Sequence, residues 1–419
     1  MKQRLLQLNL FLSEWKDLSL LYLSLALRRA NHASGRDACL SLALIRVTAN
    51  EAVILFVCLP FRVASDCSAR PSIMLYYVNF TFFVLFISGA RAFGRGDLEK
   101  YGPLELALRS SLIKCDHDKT LNLDVNGISV YFYDFENRNN FVYDIDEAGS
   151  QISNIYGLNK NRKFILFVPG YKTNINKKTV EIVRDAFQNL PNSYLIIIDH
   201  NLYTNNDHGF IKSYERAVKY VYYIGRALAD MVTTITQNGV SPKNFHCIGH
   251  SLGAQMLGQT GDLFIKNTGQ KLARITGLDP AGPCFSNSLI EEQIRSGVAD
   301  YVEIYHCNAG ALGTTSVLGD VDFFANKKGS SQPDCGTPLI PGIFDSSKAA
   351  TCNHRTCIEL YLATVTHPDW FPATACNSYK QYKEGGCSSN DMTIAGFWNP
   401  GTAKGVYYFS TKDYDIDVN

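Results

Sequence analysis

Ser251 stands at the centre of Gly249-His250-Ser251-Leu252-Gly253, and that spacing is the clearest chemical signal in the chain. A serine hydroxyl is a weak nucleophile at neutral pH. It reacts when a base takes its proton and a carboxylate orients that base. A G-x-S-x-G run between an apolar strand and a helix supplies the first requirement, because the serine then sits at the apex of a sharp turn. The flanking glycines carry no Cβ, so strand and helix can approach each other closely. The helix start also points its N–H groups at any negative charge that develops beside the serine. Phe245 to Ile248 reads as that strand, and the small-residue run after Gly253 reads as that helix. The motif alone is short enough to arise by chance; the strand and helix around it give it weight.

In an architecture of this kind the acid and the base follow the serine in the order Asp/Glu, then His. Asp279, in Gly277-Leu278-Asp279-Pro280, ends the next apolar run and is the expected acid, although an Asp before Pro also serves simply to cap a turn. His306, His354 and His367 are the candidate bases, and each is expected on a loop. His306 directly follows a strand-like run and suits a satisfied core position equally well. His354, in Cys352-Asn353-His354-Arg355 after a Gly/Pro-rich stretch, is preferred on chain order. His250 beside the nucleophile reads as packing of the turn.

The elements that must position these residues are legible. Lys163 to Val168 is a continuous apolar run ending at Pro169-Gly170, as in a strand buried on both faces, and Tyr194 to Asp199 is a second. Thr179 to Phe187 reads as a short helix. Ala217, Val221, Ile224, Leu228, Met231 and Ile235 recur every three or four residues, which predicts a helix over 213–236 ended by Asn238-Gly239. Tyr222 and Tyr223 within it read as packing. Ala273 to Leu278 and Tyr301 to Tyr305 are further strands, and Ile128 to Phe132, after Asn126-Gly127, belongs to a β-rich entry. Alternating buried strands and helices predict an α/β fold with a doubly wound, mainly parallel sheet, in one domain from residue 93 onward.

Of the 40 basic and 39 acidic residues, 10 and 5 precede residue 93, which leaves the remainder at 30 against 34, slightly acidic. No basic block points to nucleic acid. Residues 73–90 carry no charge and run into Ala90-Arg91-Ala92, a cleavage signature of the A-x-A type before Phe93. The expected organisation is therefore residues 1–73 as a gene-model extension or non-catalytic leader, 74–92 as a signal peptide opening at Met74, and 93–419 as the catalytic domain. If Met1 is the true start, 73–90 is long enough to act as a signal anchor. Either route places the domain outside the cytosol. Nine cysteines follow residue 93 without a C-x-x-C pair, so a disulfide framework is expected and a metal site is not. Cys247, within the strand before Ser251, reads as a buried small apolar residue.

The three blocks Gly249 to Gln255, Arg274 to Pro283, and Cys352-Asn353-His354-Arg355 resemble, in this order, the signature blocks of the pancreatic lipase family, in particular its insect and phospholipase A1-like members. The resemblance runs over roughly residues 120–410. It implies an α/β-hydrolase fold, a secreted serine carboxylester hydrolase of lipid substrates, and a triad of Ser251, Asp279 and His354, which decides the base. It further implies an oxyanion hole made by the Tyr171 and Leu252 N–H groups, a Cys335–Cys352 bond across a lid, and a second bond between Cys376 and Cys387. No cofactor and no metal are implied. The partners would be a lipid ester at a lipid–water interface and, peripherally, a membrane or lipid surface. A catalytically weak, yolk-type lipid-binding protein on the same fold is the alternative.

Three departures accompany the resemblance. Where the family carries His-Gly-aromatic on the oxyanion loop, this chain has Pro169-Gly170-Tyr171. The chain ends about 30 residues after Cys387, so the C-terminal β-sandwich domain of the vertebrate digestive members is not expected. Only 16 residues separate Cys335 from Cys352, a short lid, with Leu339, Ile340, Ile343 and Phe344 apolar enough to meet lipid.

Overall fold

The computed structural model describes residues 114–416, except 206–209, 287, 336–344 and 415, together with four strand segments before residue 79. Residues 1–89 and 90–419 are separate compact units. The first holds β1 (Leu21–Arg29), β2 (Ala38–Val47), β3 (Ala52–Phe61) and β4 (Ile73–Val78), runs of apolar, often β-branched or aromatic residues paired as an antiparallel meander. β4 falls inside the stretch read as a leader or anchor; residues 79–92 of that stretch lie outside the described residues. Among the described residues no helix is long and apolar enough to cross a membrane.

The second unit is built on one eleven-stranded sheet. Its strands are β5 (Ser129–Asp134), β6 (Asn139–Asp144), β7 (Lys163–Val168), β8 (Ser193–Asp199), β9 (Phe245–His250), β10 (Arg274–Leu278), β11 (Tyr301–His306), β12 (Val321–Ala325), β13 (Pro372–Ala375), β14 (Met392–Ile394) and β15 (Gly405–Phe409). They lie in the order β14-β13-β15-β12-β11-β10-β9-β7-β8-β5-β6. The run from β15 to β8 is parallel throughout, and antiparallel strands flank it at both ends. The helices are α1 (Ile145–Ser153), α2 (Lys178–Phe187), α3 (Asn201–Thr204), α4 (Phe210–Gln237), α5 (Leu252–Thr268), α6 (Asp345–Thr366) and α7 (Tyr379–Lys383).

The continuous apolar strands follow from cover on both faces. In β7, Phe164, Leu166 and Val168 pack with Val221, Ile224 and Leu228 of α4 and with Met256 of α5. Ile165 and Phe167 point the other way, into a core that includes Val183 of α2 and Ile358 and Tyr361 of α6. Each parallel strand is thus sandwiched, and no alternation with polar residues remains to be read. Buried ionic contacts tie the sheet beyond its apolar cores: the Arg274 guanidinium donates to the fully buried Glu303 carboxylate at 3.0 Å and to the Asn399 carbonyl at 2.9 Å. A buried charge needs such partners.

Helix α6 corrects one expectation. His354 lies within a helix and not on a loop, since Asp345 to Cys352 are already helical. The four apolar lid residues Leu339, Ile340, Ile343 and Phe344 lie outside the described residues.

Candidate active site

Ser251 occupies the junction between β9 and α5 with φ 56° and ψ −120°, a left-handed conformation that a side chain adopts only under constraint. The cost is about 1–3 kcal/mol, and the neighbouring strand helps to hold it. The Ser251 N–H donates to the Leu278 carbonyl at 3.0 Å, and its carbonyl accepts from Ala281 at 3.2 Å. Gly253 is needed for the approach of α5 to the end of β7: a Cβ there would stand 2.5 Å from the Pro169 carbonyl oxygen. At Gly170 a Cβ would stand 2.9 Å from the Ser251 Cβ. The elbow and the loop after β7 are therefore in contact.

Asp279 follows β10 with φ 45° and is fully buried. Its N–H donates to the Tyr305 carbonyl at 2.7 Å, which aligns it with the end of β11. One carboxylate oxygen, Oδ1, accepts from the Cys307 N–H at 2.9 Å and the Asn308 N–H at 3.0 Å. The other, Oδ2, is in close hydrogen-bond contact with His354 Nδ1. Both oxygens of a buried carboxylate are thus engaged, as burial of the charge requires. With Nδ1 donating to Asp279, the lone pair of His354 Nε2 is left to accept a proton.

His250 packs beside this pair. Its Nε2 lies 3.0 Å from the His354 carbonyl, and because a carbonyl only accepts, Nε2 carries the proton. Burial, then the neighbouring His354, hold the His250 imidazole well below its ordinary pKa, so the ring stays neutral. The two rings are 4.4 Å apart. The residue beside the nucleophile therefore fixes the backbone of the candidate base.

The other histidines go elsewhere. His306 is fully buried, with Nε2 2.8 Å from Asp322 Oδ1, Nδ1 3.1 Å from the Thr314 carbonyl, and its ring stacked on Phe324; it is a satisfied core residue. His367 is exposed near the end of α6, stacked on Trp370. The two oxyanion candidates stand where the elbow and the β7 loop meet. Leu252 opens α5, and its N–H is one of the first-turn amides with no carbonyl behind it in the helix. Tyr171 follows Gly170, with its ring edge-on to Tyr214.

Among the described residues four disulfides are formed: Cys115–Cys284, Cys307–Cys357, Cys335–Cys352 and Cys376–Cys387. The last two pairings were expected from the resemblance. The first two were not legible, and Cys307–Cys357 lies at the site itself: Cys307 donates to Asp279, and Cys357 is three residues after His354 on α6. Cys247 is buried and unpaired as expected, its thiol pushed up to about 12 by burial. Among the described residues no cluster of three or more His, Cys, Asp or Glu side chains is arranged to hold a metal.

The chain is 31% identical over 195 residues to pancreatic lipase-related protein 2 of Bos taurus, covering 43% of this chain and 40% of that one. It is 29% identical over 273 residues to lipase member H of Mus musculus, covering 64% and 57%. The chain therefore spans about two fifths to three fifths of the length of these curated relatives. Among solved structures it is similar to esterase PE8, at 10% identity and a TM-score of 0.26, over 49% of this chain and 92% of that one. The sequence model of the Lipase family matches residues 107–397, the span that holds strands β5 to β14, the elbow serine and the Asp279–His354 pair, and the chain belongs to that family.

Proposed function

We propose that the protein is a secreted serine carboxylester hydrolase acting on lipid esters. The observation that carries this reading is the pairing of Asp279 with His354 across 75 residues, at the same end of the sheet as a serine held in a left-handed turn. Ser251 Oγ attacks the ester carbonyl while His354 Nε2 takes its proton. The Tyr171 and Leu252 N–H groups hold the oxyanion of the tetrahedral intermediate. His354 then protonates the departing alcohol, and Asp279 stabilises the imidazolium meanwhile. Water activated by the same histidine releases the acid. Four disulfides support passage through an oxidising compartment. Secretion would begin from Met74, and N-terminal sequencing of the secreted protein is expected to read Phe93 first. A mature chain that still carried residues 1–72 would reject the leader and favour a signal anchor.

The lid segment between Cys335 and Cys352 carries Leu339, Ile340, Ile343 and Phe344. These four apolar residues favour work at a lipid surface. The lid is too short to seal a deep channel, which favours lipids with bulky polar head groups, of the phospholipase A1 type, over triacylglycerol. Polar substitution at Ile343 and Phe344 is expected to lower turnover on vesicles or emulsions several-fold and to spare a soluble short ester. Equal losses on both substrates would show that the lid shapes the reacting site itself. The decisive experiment assays the secreted protein in parallel on phospholipid vesicles and a neutral-lipid emulsion, with Ser251→Ala as control. Activity unaffected by that substitution, or no reaction of Ser251 with a fluorophosphonate, would leave a lipid-binding protein as the reading.

A further inference from the structure

The loop that leaves β7 at Pro169-Gly170-Tyr171 closes one turn bond of its own, from the Thr173 N–H to the Gly170 carbonyl at 3.3 Å, and packs on the elbow at Gly170. Proline has no N–H and glycine has no side chain, so the two residues before Tyr171 supply only carbonyls and a single amide. The restraint on the Pro169 carbonyl comes from the neighbouring strand. β7 and β8 run parallel with Phe167 opposite Ile197, which brings the end of β8 level with the start of the loop. His200, the first residue past β8, is fully buried with Nε2 2.9 Å from the Pro169 carbonyl oxygen and Nδ1 3.0 Å from Thr204 Oγ1. A carbonyl only accepts, so Nε2 carries the proton, and the Thr204 hydroxyl donates to Nδ1. Burial holds the His200 ring below its ordinary pKa, which preserves this neutral tautomer. The residue before it holds the far side of the loop: Asp199 Oδ2 accepts from the Ile175 N–H at 3.0 Å.

We propose that His200 is a positioning residue for the oxyanion loop, acting with Asp199 as a clamp on its two sides so that the Tyr171 N–H is aimed before substrate arrives. The inference rests on the serine-hydrolase reading of the site above. The physical case is that the Pro169 carbonyl and the Gly170 amide share one peptide plane, one residue from the Tyr171 N–H. Gly170 offers little steric barrier to rotation on its own. A donor fixed on the carbonyl fixes that plane. A buried histidine that merely filled core volume would be replaceable by an apolar side chain of similar shape, whereas this one spends its single ring proton on the loop.

The test compares wild type, His200→Phe, which keeps an aromatic ring but no donor, and His200→Gln, whose amide can reach the same carbonyl. All are made as the full chain, with active sites counted by fluorophosphonate titration. On a soluble short ester, His200→Phe is expected to lose on the order of 10–100-fold in kcat with KM within about twofold, and His200→Gln to recover most of it. Affinity for a trifluoromethyl ketone, whose hydrated oxyanion uses the same donors, should fall in parallel with kcat/KM. An unchanged kcat per titrated site, with only Tm lowered, would make His200 a structural residue and overturn the proposal. If His200→Phe is not secreted, Thr204→Val removes the hydroxyl that sets the ring tautomer; a several-fold loss of kcat supports the clamp and a wild-type kcat overturns it. Failure of the underlying reading looks different, since wild type would then neither titrate nor lose activity on Ser251→Ala.

Discussion

Alanine at Ser251 or at His354 is expected to lower ester turnover by on the order of 10³–10⁶, and the double variant to be little worse than either alone. The non-additivity follows from their roles. Without His354 nothing takes the serine proton, and without Ser251 the histidine has no nucleophile to activate, so the second loss removes little that the first has left. Asp279→Asn should cost about 10⁴ or less, because it favours the wrong imidazole tautomer and leaves nucleophile and oxyanion donors in place. The Cys307 and Asn308 N–H groups would still meet the amide oxygen of the new side chain, so the local backbone has reason to persist. The measurement is kcat on a soluble ester, with residual activity traced to the variant by its insensitivity to fluorophosphonate. Strictly multiplicative losses in the double variant would mean that the two residues act independently and that the assignment is wrong.

Opening Cys307–Cys357 by serine at both positions is expected to lower stability by about 4 kcal/mol, as the unfolded chain regains the freedom of a loop closed over a sequence separation of 50. Thermal unfolding should fall by on the order of 10 °C. Turnover should fall as well, because the bond joins the residue that donates to Asp279 to the helix that carries His354. Removing Cys376–Cys387, a separation of 11, is the control: about 3 kcal/mol of stability, with turnover per folded molecule unchanged. If both variants lose stability and neither loses turnover, packing alone aligns acid and base. The Cys307 and Cys357 side chains are each about 1% exposed, so reductant should reach them only when the site opens.

Much of this site was legible because its chemistry dictates local sequence. The turn at Ser251 needs small residues beside it, and Asp279 announces itself by ending an apolar strand. Strands β7 and β8 were readable because cover on both faces leaves an unbroken apolar run. Helix α6 was not read. It is buried on several sides, so its apolar residues form no single stripe, and the Gly/Pro-rich stretch before it suggested that a loop continues to His354. Strand order was also hidden: β7 lies between β8 and β9, a neighbourhood set by crossovers and not by sequence distance. The donors to Asp279 are backbone amides, which any residue supplies, so Cys307 and Asn308 left no trace. His200 is the opposite case. The sequence showed that the loop after β7 lacked its usual histidine, but nothing local said that a neighbouring strand end would supply another.

Cys335 and Cys352 both fall between Cys307 and Cys357, so one covalent ring encloses another. A single backbone cut between residues 336 and 351 would therefore release no fragment: the new ends would stay tethered through the inner ring, and the outer ring would still join the strand end beside Asp279 to α6. A nick in that segment therefore need not part Asp279 from His354. Parting the chain at such a single cut would need reduction of both bonds as well.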